Sequence, residues 1–307
     1  MSRDVVVPAR FARTIREVFG ARGEAWLDRL PALLAACEGR WSLRAGPPFP
    51  NLTYAYVAPA VRGDGMAVVL KLGVPSRELT AEIAALRVFD GTGAVRLIDA
   101  DPDAGVLLLE RLSPGTSLLR MSGEDDEQAT RIAARVMRSL WKPPPAAGSL
   151  PTVAGWAAGF GRLRARFDGG TGPLPARLVE QAEAQFAALT GTAVVPVLLH
   201  GDLHHDNVLL GGETWLAIDP KGLIGEPAYE TGALLRNPPG LHLRPDLDRL
   251  LARRLAVLSE ELGFEPERLR AWAFAQAMLS AWWSVEDHGH GWEPAILLAE
   301  HFAGPRV

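Results

Sequence analysis

Two carboxylates and a side-chain amide lie close together in the sequence at Asp202, Asn207 and Asp219. Carboxylate and amide oxygens are hard ligands of the kind that magnesium takes, and magnesium leaves its other positions to water and phosphate. A carboxylate beside such a cation can also accept the proton of an attacking hydroxyl. These residue types therefore suit the transfer of a phosphoryl group from a nucleotide.

A predicted hairpin brings these side chains together. The apolar run 194–199 predicts a buried strand, and the runs 208–210 and 215–218 predict two further short strands joined by residues 211–214. Gly211-Gly212 between two apolar runs is a hairpin signal. The hairpin is expected to place Asn207 opposite Asp219, at a cross-strand spacing of roughly 5 Å, with Asp202 one loop away.

The five-residue spacing from Asp202 to Asn207 matches the kinase catalytic loop, with Asp219 in the place of the metal-binding aspartate. Residues 199–207, which have His-Gly-Asp where protein kinases have His-Arg-Asp, are similar to the aminoglycoside phosphotransferases. Together with Ala217-Ile218-Asp219-Pro220-Lys221-Gly222, they resemble the streptomycin 6-kinase branch, the aminoglycoside/hydroxyurea resistance kinases. Residues 236–238 and 279–284 resemble the same branch, and the resemblance runs from about Lys71 onward.

The resemblance implies an α+β, protein-kinase-like two-lobe fold that uses ATP and Mg²⁺. A small β-rich lobe, residues 1–112, would bind the nucleotide. A larger, mainly helical lobe, residues 113–307, would carry the catalytic loop, the metal site and the acceptor site. Asp202 would be the catalytic base, and Asn207 and Asp219 would bind the metal.

Lys71 ends an apolar strand predicted over 66–72 and needs an anionic partner, because an unpaired buried charge is costly. The helix predicted over 78–89 offers Glu82, with Glu78 one turn earlier. The resemblance assigns Lys71 to the α- and β-phosphates and the helix glutamate, for which we favour Glu82, to the orientation of that lysine. Taken alone, Lys71 could equally be a strand-end lysine that reaches solvent.

Residues 107–112 are the expected hinge between the lobes, where backbone groups near Glu110 and Leu112 would recognise adenine. The chain contains no Gly-x-Gly-x-x-Gly loop and no P-loop. Residues 49–53 instead occupy the place where the first hairpin should cover the phosphates.

The acceptor is expected to be a small cation. In the resembling family the helical lobe supplies carboxylates to a cationic substrate, and a guanidinium–carboxylate pair is strong and directional. Streptomycin, which carries two guanidinium groups, is favoured. The candidate carboxylates are Glu226, Glu230, Glu286 and Asp287, although Glu230 could instead be a structural partner of the catalytic loop.

The remaining pattern supplies the elements around this site. Residues 11–37 alternate apolar and charged residues at helical spacing broken by Gly20 and Gly23, which predicts two helices. Further strands are predicted over 51–57 and 106–109. Helices are then predicted over 123–141, 153–167, 174–189, 246–262, 266–288 and 293–303.

Composition is that of an ordinary globular protein, with 307 residues, 48% hydrophobic and 22% charged. A net charge of −4 without a basic, aromatic-rich patch argues against nucleic acid as a partner. No apolar run approaches the roughly 20 residues of a membrane span, and residues 1–20 do not have the pattern of a signal peptide. With Cys37 as the single cysteine, these features predict a cytoplasmic enzyme.

Three alternatives compete with this interpretation. His200, His204 and His205 beside Asp202 could suggest a metal-dependent hydrolase, but Gly201 and the preceding strand predict a loop rather than a metal-binding helix. His200 is instead expected to orient the loop through its ring nitrogens. The same fold could also serve a kinase of another small metabolite, such as an amino alcohol or a sugar. A nucleotide-binding pseudokinase that acts as an interaction module would usually lack the base or a metal ligand.

Overall fold

A five-stranded antiparallel sheet forms the N-terminal lobe of the computed structural model, which describes residues 6–146 and 150–304. The strand order is β1-β2-β3-β5-β4. The strands are β1 (Leu43–Ala45), β2 (Ala55–Arg62), β3 (Ala67–Gly73), β4 (Leu97–Asp101) and β5 (Val106–Glu110).

One face of this sheet packs against α1 (Ala9–Arg40), which supplies Phe11, Trp26 and Leu30 to a shared core. Gly20 has φ 56° and ψ −135°, so α1 is two helical segments that meet at a kink, as the sequence predicted. The alternation of β3 turns Leu70 and its apolar neighbours toward α1. Lys71 therefore faces the opposite side of the sheet.

The opposite face of the sheet packs against α2 (Arg77–Phe89). The Ser76 hydroxyl caps this helix by accepting a hydrogen bond from the Leu79 amide at 3.2 Å. Its buried apolar side chains, among them Ile83 and Phe89, belong to a core that continues into the C-terminal lobe. This packing positions α2 so that Glu82 contacts Lys71.

The C-terminal lobe is built around α10 (Pro266–Asp287). Every residue from 272 to 279 is buried, which is expected of a helix surrounded by others. Its other helices are α3 (Leu118–Glu124), α4 (Asp126–Leu140), α5 (Val153–Trp156), α6 (Ala158–Arg166), α7 (Ala176–Thr190), α8 (Thr231–Leu235), α9 (Leu247–Leu262) and α11 (Glu293–Phe302). None of the helices in the described part of the chain combines the length and apolar character that crossing a bilayer requires.

Two small sheets in this lobe position the loops of the site. One has the order β6-β8-β9 and the other pairs β10 with β7. Their strands are β6 (Pro114–Ser117), β7 (Val197–Leu199), β8 (Val208–Gly211), β9 (Thr214–Ala217) and β10 (Leu223–Gly225). The predicted lobe boundary at Leu112 lies in the segment between β5 and β6.

Two predicted strands were wrong in extent. The run 194–199 is a strand only from Val197, and Val195 is 82% exposed. Pro196 lacks an amide hydrogen and interrupts the run, so pairing starts after it. The strand predicted over 51–57 begins at Ala55 and continues to Arg62, because residues 50–54 form the tip between β1 and β2.

Candidate active site

The loop that carries Asp202 is anchored by a buried carboxylate. Glu230, 1% exposed, accepts hydrogen bonds from the amides of His200 at 2.7 Å and Gly201 at 2.8 Å. Burial raises the pKa of Glu230 to about 7 despite these two bonds. Glu230 is thus bound to the catalytic loop, which is the structural alternative that the sequence left open.

His200 connects this loop to the end of β9. Its Nε2 donates to the Ile218 carbonyl at 2.7 Å, and its Nδ1 accepts from the Asp202 amide at 3.2 Å. These two bonds require the neutral ring with a proton on Nε2. Burial lowers the pKa of His200 to about 4, so the ring keeps this form at neutral pH.

The β8–β9 hairpin forms, but with a register one residue away from the prediction. Val208 pairs with Ala217, and the Ile218 amide donates to the Asn207 carbonyl at 2.9 Å, so Asn207 lies opposite Ile218 and not Asp219. Gly211 pairs with Thr214 across a two-residue loop, and this register runs unbroken to Val208 and Ala217, so Asp219 lies one residue beyond the last pair. Asp219 follows in the left-handed region with φ 59°.

Asp219 meets Lys71 from the other lobe. The Lys71 Nζ donates to both oxygens of Glu82 at 2.7 and 2.8 Å and to Oδ1 of Asp219 at 3.0 Å. The side chains of Lys71 and Glu82 are each 9% exposed, whereas that of Asp219 is 48% exposed. Burial alone would lower the pKa of Lys71, but the two carboxylates outweigh it and raise the pKa. Lys71 is therefore charged, with an accessible carboxylate beside it.

Asn207 and Asp219 together offer oxygen donors suited to a magnesium ion. The Asn207 Nδ2 donates to the Asp202 carbonyl at 3.0 Å and lies 3.2 Å from Nε2 of His204. Among the described residues these contacts leave the Asn207 Oδ1 available as a metal ligand. Burial would raise the pKa of Asp219, but the Lys71 charge outweighs it, so the pKa falls below its usual value. An anionic carboxylate and an amide oxygen are hard ligands of the type magnesium takes.

Asp202 is paired with an arginine that sequence reasoning did not assign to the site. Arg236, directly after α8, donates from Nη2 to Oδ1 of Asp202 at 2.8 Å. Burial would raise the pKa of Asp202, but Arg236, and after it His204 and Lys221, outweigh burial and lower it. No sequence signal marks this pair, because the two residues are 34 positions apart.

Lys221 is a second charged residue whose role the sequence did not reveal. Its Nζ forms an ion pair with Glu78 of α2, and its amide donates to the His200 carbonyl at 2.7 Å. The next residue, Gly222, has φ 64°, and a Cβ there would lie 2.5 Å from the Ala81 carbonyl oxygen of α2. The segment after Asp219 therefore packs directly against the N-terminal lobe.

The four predicted acceptor carboxylates are not gathered in one place. Glu226 has a side chain only 8% exposed and accepts from Arg268 and from Trp272 Nε1. Glu286 receives Nε and Nη2 of Arg162 at 2.6 and 2.9 Å. Glu230, as shown above, holds the catalytic loop.

Asp287, at the end of α10, is exposed. Within the described residues its carboxylate has no hydrogen-bond or ion-pair partner. Partial burial, and then the neighbouring charge of Glu286, raise the pKa of Asp287. The Asp287 charge also acts on Tyr54, which is 44% exposed near the tip between β1 and β2. Asp287 is thus the candidate whose carboxylate is unpaired among the described residues, on the side of Tyr54 in the N-terminal lobe.

The expected hinge, residues 107–112, comprises most of β5 and the two residues after it. The Glu110 amide donates to the Arg96 carbonyl at 3.0 Å, and the Glu110 carboxylate accepts from the Arg96 amide at 2.7 Å. Leu112 lies beyond the strand, half-buried, where a Cβ on Gly211 would approach its side chain to 2.9 Å. The glutamate side chain is thus engaged within the protein.

Comparison with known proteins connects this geometry to a family. A model described as aminoglycoside/hydroxyurea antibiotic resistance kinase matches residues 40–288. A streptomycin 6-kinase from Streptomyces glaucescens is 33% identical over 99% of this chain and 99% of its own. A hydroxyurea phosphotransferase from Kitasatospora aureofaciens is 36% identical, over 92% of this chain and 81% of its own.

A solved structure shows the same fold. An aminoglycoside phosphotransferase in a ternary complex with ADP and hygromycin B superposes with a TM-score of 0.60 at 14% identity. The match covers 88% of this chain and 99% of that one. The α+β, protein-kinase-like two-lobe fold predicted from the sequence is thereby confirmed.

Proposed function

The chain belongs to the aminoglycoside/hydroxyurea antibiotic resistance kinase family, and we propose that it transfers the γ-phosphoryl group of ATP to a hydroxyl of streptomycin. It is a phosphotransferase with an alcohol group as acceptor. The observation that carries the proposal is the Lys71 ammonium held between Glu82 and Asp219 beside the loop of Asp202. This arrangement gathers a phosphate-binding cation, a metal ligand and a base at one cleft.

Each residue has a defined task in this proposal. Asp202 orients the acceptor hydroxyl and accepts its proton as the hydroxyl oxygen bonds to the γ-phosphorus and the bond to the bridging oxygen breaks, which releases ADP. Lys71, oriented by Glu82, binds the α- and β-phosphates. Asn207 and Asp219 would hold magnesium, which neutralises phosphate charge when bound. Backbone groups at Glu110 and Leu112 would contact adenine.

Asp287 is the proposed contact for the cationic acceptor. We leave Glu226, Glu230 and Glu286 out of the acceptor site, because their carboxylates already bind Arg268, the catalytic loop and Arg162. Asp287 retains a carboxylate that is unpaired among the described residues. A guanidinium group can therefore pair with it without breaking an ion pair of the protein.

Replacing Asp287 with Asn tests this contact, since it keeps the volume and removes the charge. A charge-assisted hydrogen bond is worth about 1.5–3 kcal/mol, so the KM for streptomycin should rise roughly tenfold or more while the KM for ATP is unchanged. Glu286→Gln is the matched control, because it removes a neighbouring charge that Arg162 already neutralises. Equal KM values for streptomycin in Asp287→Asn and wild type would remove Asp287 from the acceptor site.

Hydroxyurea is the second candidate acceptor, because one relative at 36% identity is named a hydroxyurea phosphotransferase. Hydroxyurea is neutral, so its turnover should not depend on Asp287. An ATP-consumption screen across streptomycin, other aminoglycosides, hydroxyurea, choline and common sugars distinguishes the acceptors. Consumption only with choline or a sugar would contradict streptomycin and leave the phosphotransferase chemistry in place.

A further inference from the structure

The catalytic loop contains no lysine or arginine of its own between Asp202 and Asn207. The γ-phosphoryl group nevertheless carries negative charge over three oxygens as it passes from ADP to the acceptor. In the proposed function Lys71, held by Glu82, serves the α- and β-phosphates, and Arg236 is bound to Asp202. Lys221 is the cation beside these residues whose partner, Glu78, lies outside the catalytic set.

The backbone of Lys221 packs against the catalytic loop, and its side chain extends to Glu78 of α2. Its amide donates to the His200 carbonyl at 2.7 Å, and a Cβ on Gly201 would lie 3.2 Å from the Lys221 Cβ. The charge of Lys221 acts on both Asp202 and Asp219. Lys221 therefore lies beside both the proposed base, Asp202, and the proposed metal ligand, Asp219.

The ion pair with Glu78 is of the kind that can be exchanged. The Glu78 side chain is 63% exposed and that of Lys221 32% exposed, whereas Lys71 and Glu82 are 9% exposed each. Water competes for the exposed Glu78 carboxylate, so this partly exposed ion pair contributes less than a buried one. A phosphoryl group entering the cleft offers the Lys221 ammonium a stronger and less hydrated partner than Glu78.

We propose that Lys221 contacts the γ-phosphoryl group of the bound nucleotide, leaving Glu78 when ATP enters and returning to it when ADP remains. This inference rests on the proposed function, since it requires a nucleotide triphosphate in the cleft. In this arrangement Glu78 of the N-terminal lobe pairs with Lys221 when no triphosphate is bound. Lys221 binds the group that is transferred.

The test compares the affinities for ADP and for the non-hydrolysable analogue AMP-PNP, measured by calorimetry with magnesium and without acceptor. In Lys221→Met the Kd for AMP-PNP should rise roughly tenfold while the Kd for ADP changes less than about twofold. Glu78→Gln should act in the opposite direction. It frees Lys221, so the Kd for AMP-PNP should fall by about two- to fivefold.

Arg164→Gln is the matched control, because it breaks another partly exposed ion pair, with Glu183, away from the cleft. Lys221→Arg, which keeps the charge, should preserve most of the preference for AMP-PNP and covers the case in which Lys221→Met is unstable. If Lys221→Met raised the Kd values for ADP and AMP-PNP equally, the proposal would be contradicted. An increase in the Kd for AMP-PNP in both Lys221→Met and Glu78→Gln would contradict it as well. Either result would mean that the ion pair only links the lobes. Wild-type protein that binds neither nucleotide would instead contradict the proposed function.

Discussion

At the scale of single residues, the proposed base, Asp202, is bound to an arginine, Arg236. An opposite charge within hydrogen-bond distance makes Asp202 a weaker base, which suits a loose transition state in which the proton leaves the hydroxyl late. The same bond fixes the carboxylate in one orientation. Arg236 thus sets both the charge and the direction of Asp202.

Arg236→Met should therefore change the pH dependence of the reaction. Activity requires Asp202 without a proton, so it declines as the pH falls through the pKa of that carboxyl. Without Arg236, burial is less opposed, although His204, Lys221 and His200 still act on the group, and the pKa should rise. The acid limb of kcat/KM should move to higher pH with it.

The acid limb of the kcat/KM profile, followed from pH 8 down to the lowest pH at which each protein stays folded, measures this shift. Arg236→Lys should retain the wild-type acid limb, because it keeps the positive charge. Its kcat should be lower, because the lysine side chain is shorter and holds the Asp202 carboxylate in a different position. A loss of activity in Arg236→Met that is uniform across pH would show that the arginine acts only through the fold.

The spacing in the sequence predicted that Asp202, Asn207 and Asp219 lie on one loop and at the ends of one hairpin, and the structure has them there, with the pairing shifted by one residue. It did not indicate Arg236 or Lys221 as partners. Their partners lie 34 and 143 positions away, so only the packing of α8 and α2 against the loop brings them together. Contacts between residues so far apart in the sequence produce no local pattern from which they could be predicted.

At the scale of elements, the β8–β9 hairpin and α2 determine the geometry of the phosphate site. The hairpin ends at Asp219, whose left-handed backbone carries the carboxylate toward Lys71. Helices were predictable to within a few residues because their 3.6-residue pattern spans many turns. The exceptions are 153–167, which divides between α5 and α6, and the short helices α3 and α8, which the sequence did not predict. Short strands were less predictable, and the pairing of the hairpin differs by one residue from the prediction.

Asp219→Ala should remove a magnesium ligand and one of the two carboxylates on Lys71. Binding of nucleotide should then require a higher magnesium concentration, with a smaller increase for Asn207→Ala, since an amide is the weaker ligand. Calorimetric titration with ADP at several magnesium concentrations measures the change. Asp246→Ala, which removes a carboxylate paired with the exposed Arg244, is the control. Unchanged magnesium dependence in Asp219→Ala would contradict the assignment.

The short 3₁₀ helix His205–Asn207 contains a buried group that should make the protein sensitive to acid. Both ring nitrogens of His205 lack a partner among the described residues, and burial, followed by the charge of Arg254, lowers its pKa to about 3. A folded-state pKa below the unfolded value near 6.5 means that stability is lost as the pH falls from 6.5 toward 3.

His205→Leu should remove this dependence. Between pH 6.5 and pH 5, wild type should lose about 2 kcal/mol of unfolding free energy relative to the variant, since one proton costs about 1.4 kcal/mol per pH unit. Urea unfolding at the two pH values measures the difference. An equal loss of unfolding free energy in both proteins would contradict this prediction. It would mean that protonated His205 is stabilised in the folded protein.

At the scale of the whole molecule, the two lobes meet through charges as well as apolar packing. Lys71–Asp219 and Lys221–Glu78 both cross the cleft, and the core under α2 continues into the C-terminal lobe. Every charge proposed to handle phosphate is therefore positioned by contacts between lobes.

The most direct test of this account is the product formed from ATP and streptomycin, followed by mass spectrometry together with ADP release. We expect one phosphate added per ADP formed, and a turnover roughly 10²–10⁴-fold lower in Asp202→Asn with nucleotide affinity retained. ADP release without phosphorylated streptomycin, or Asp202→Asn with wild-type turnover, would contradict it.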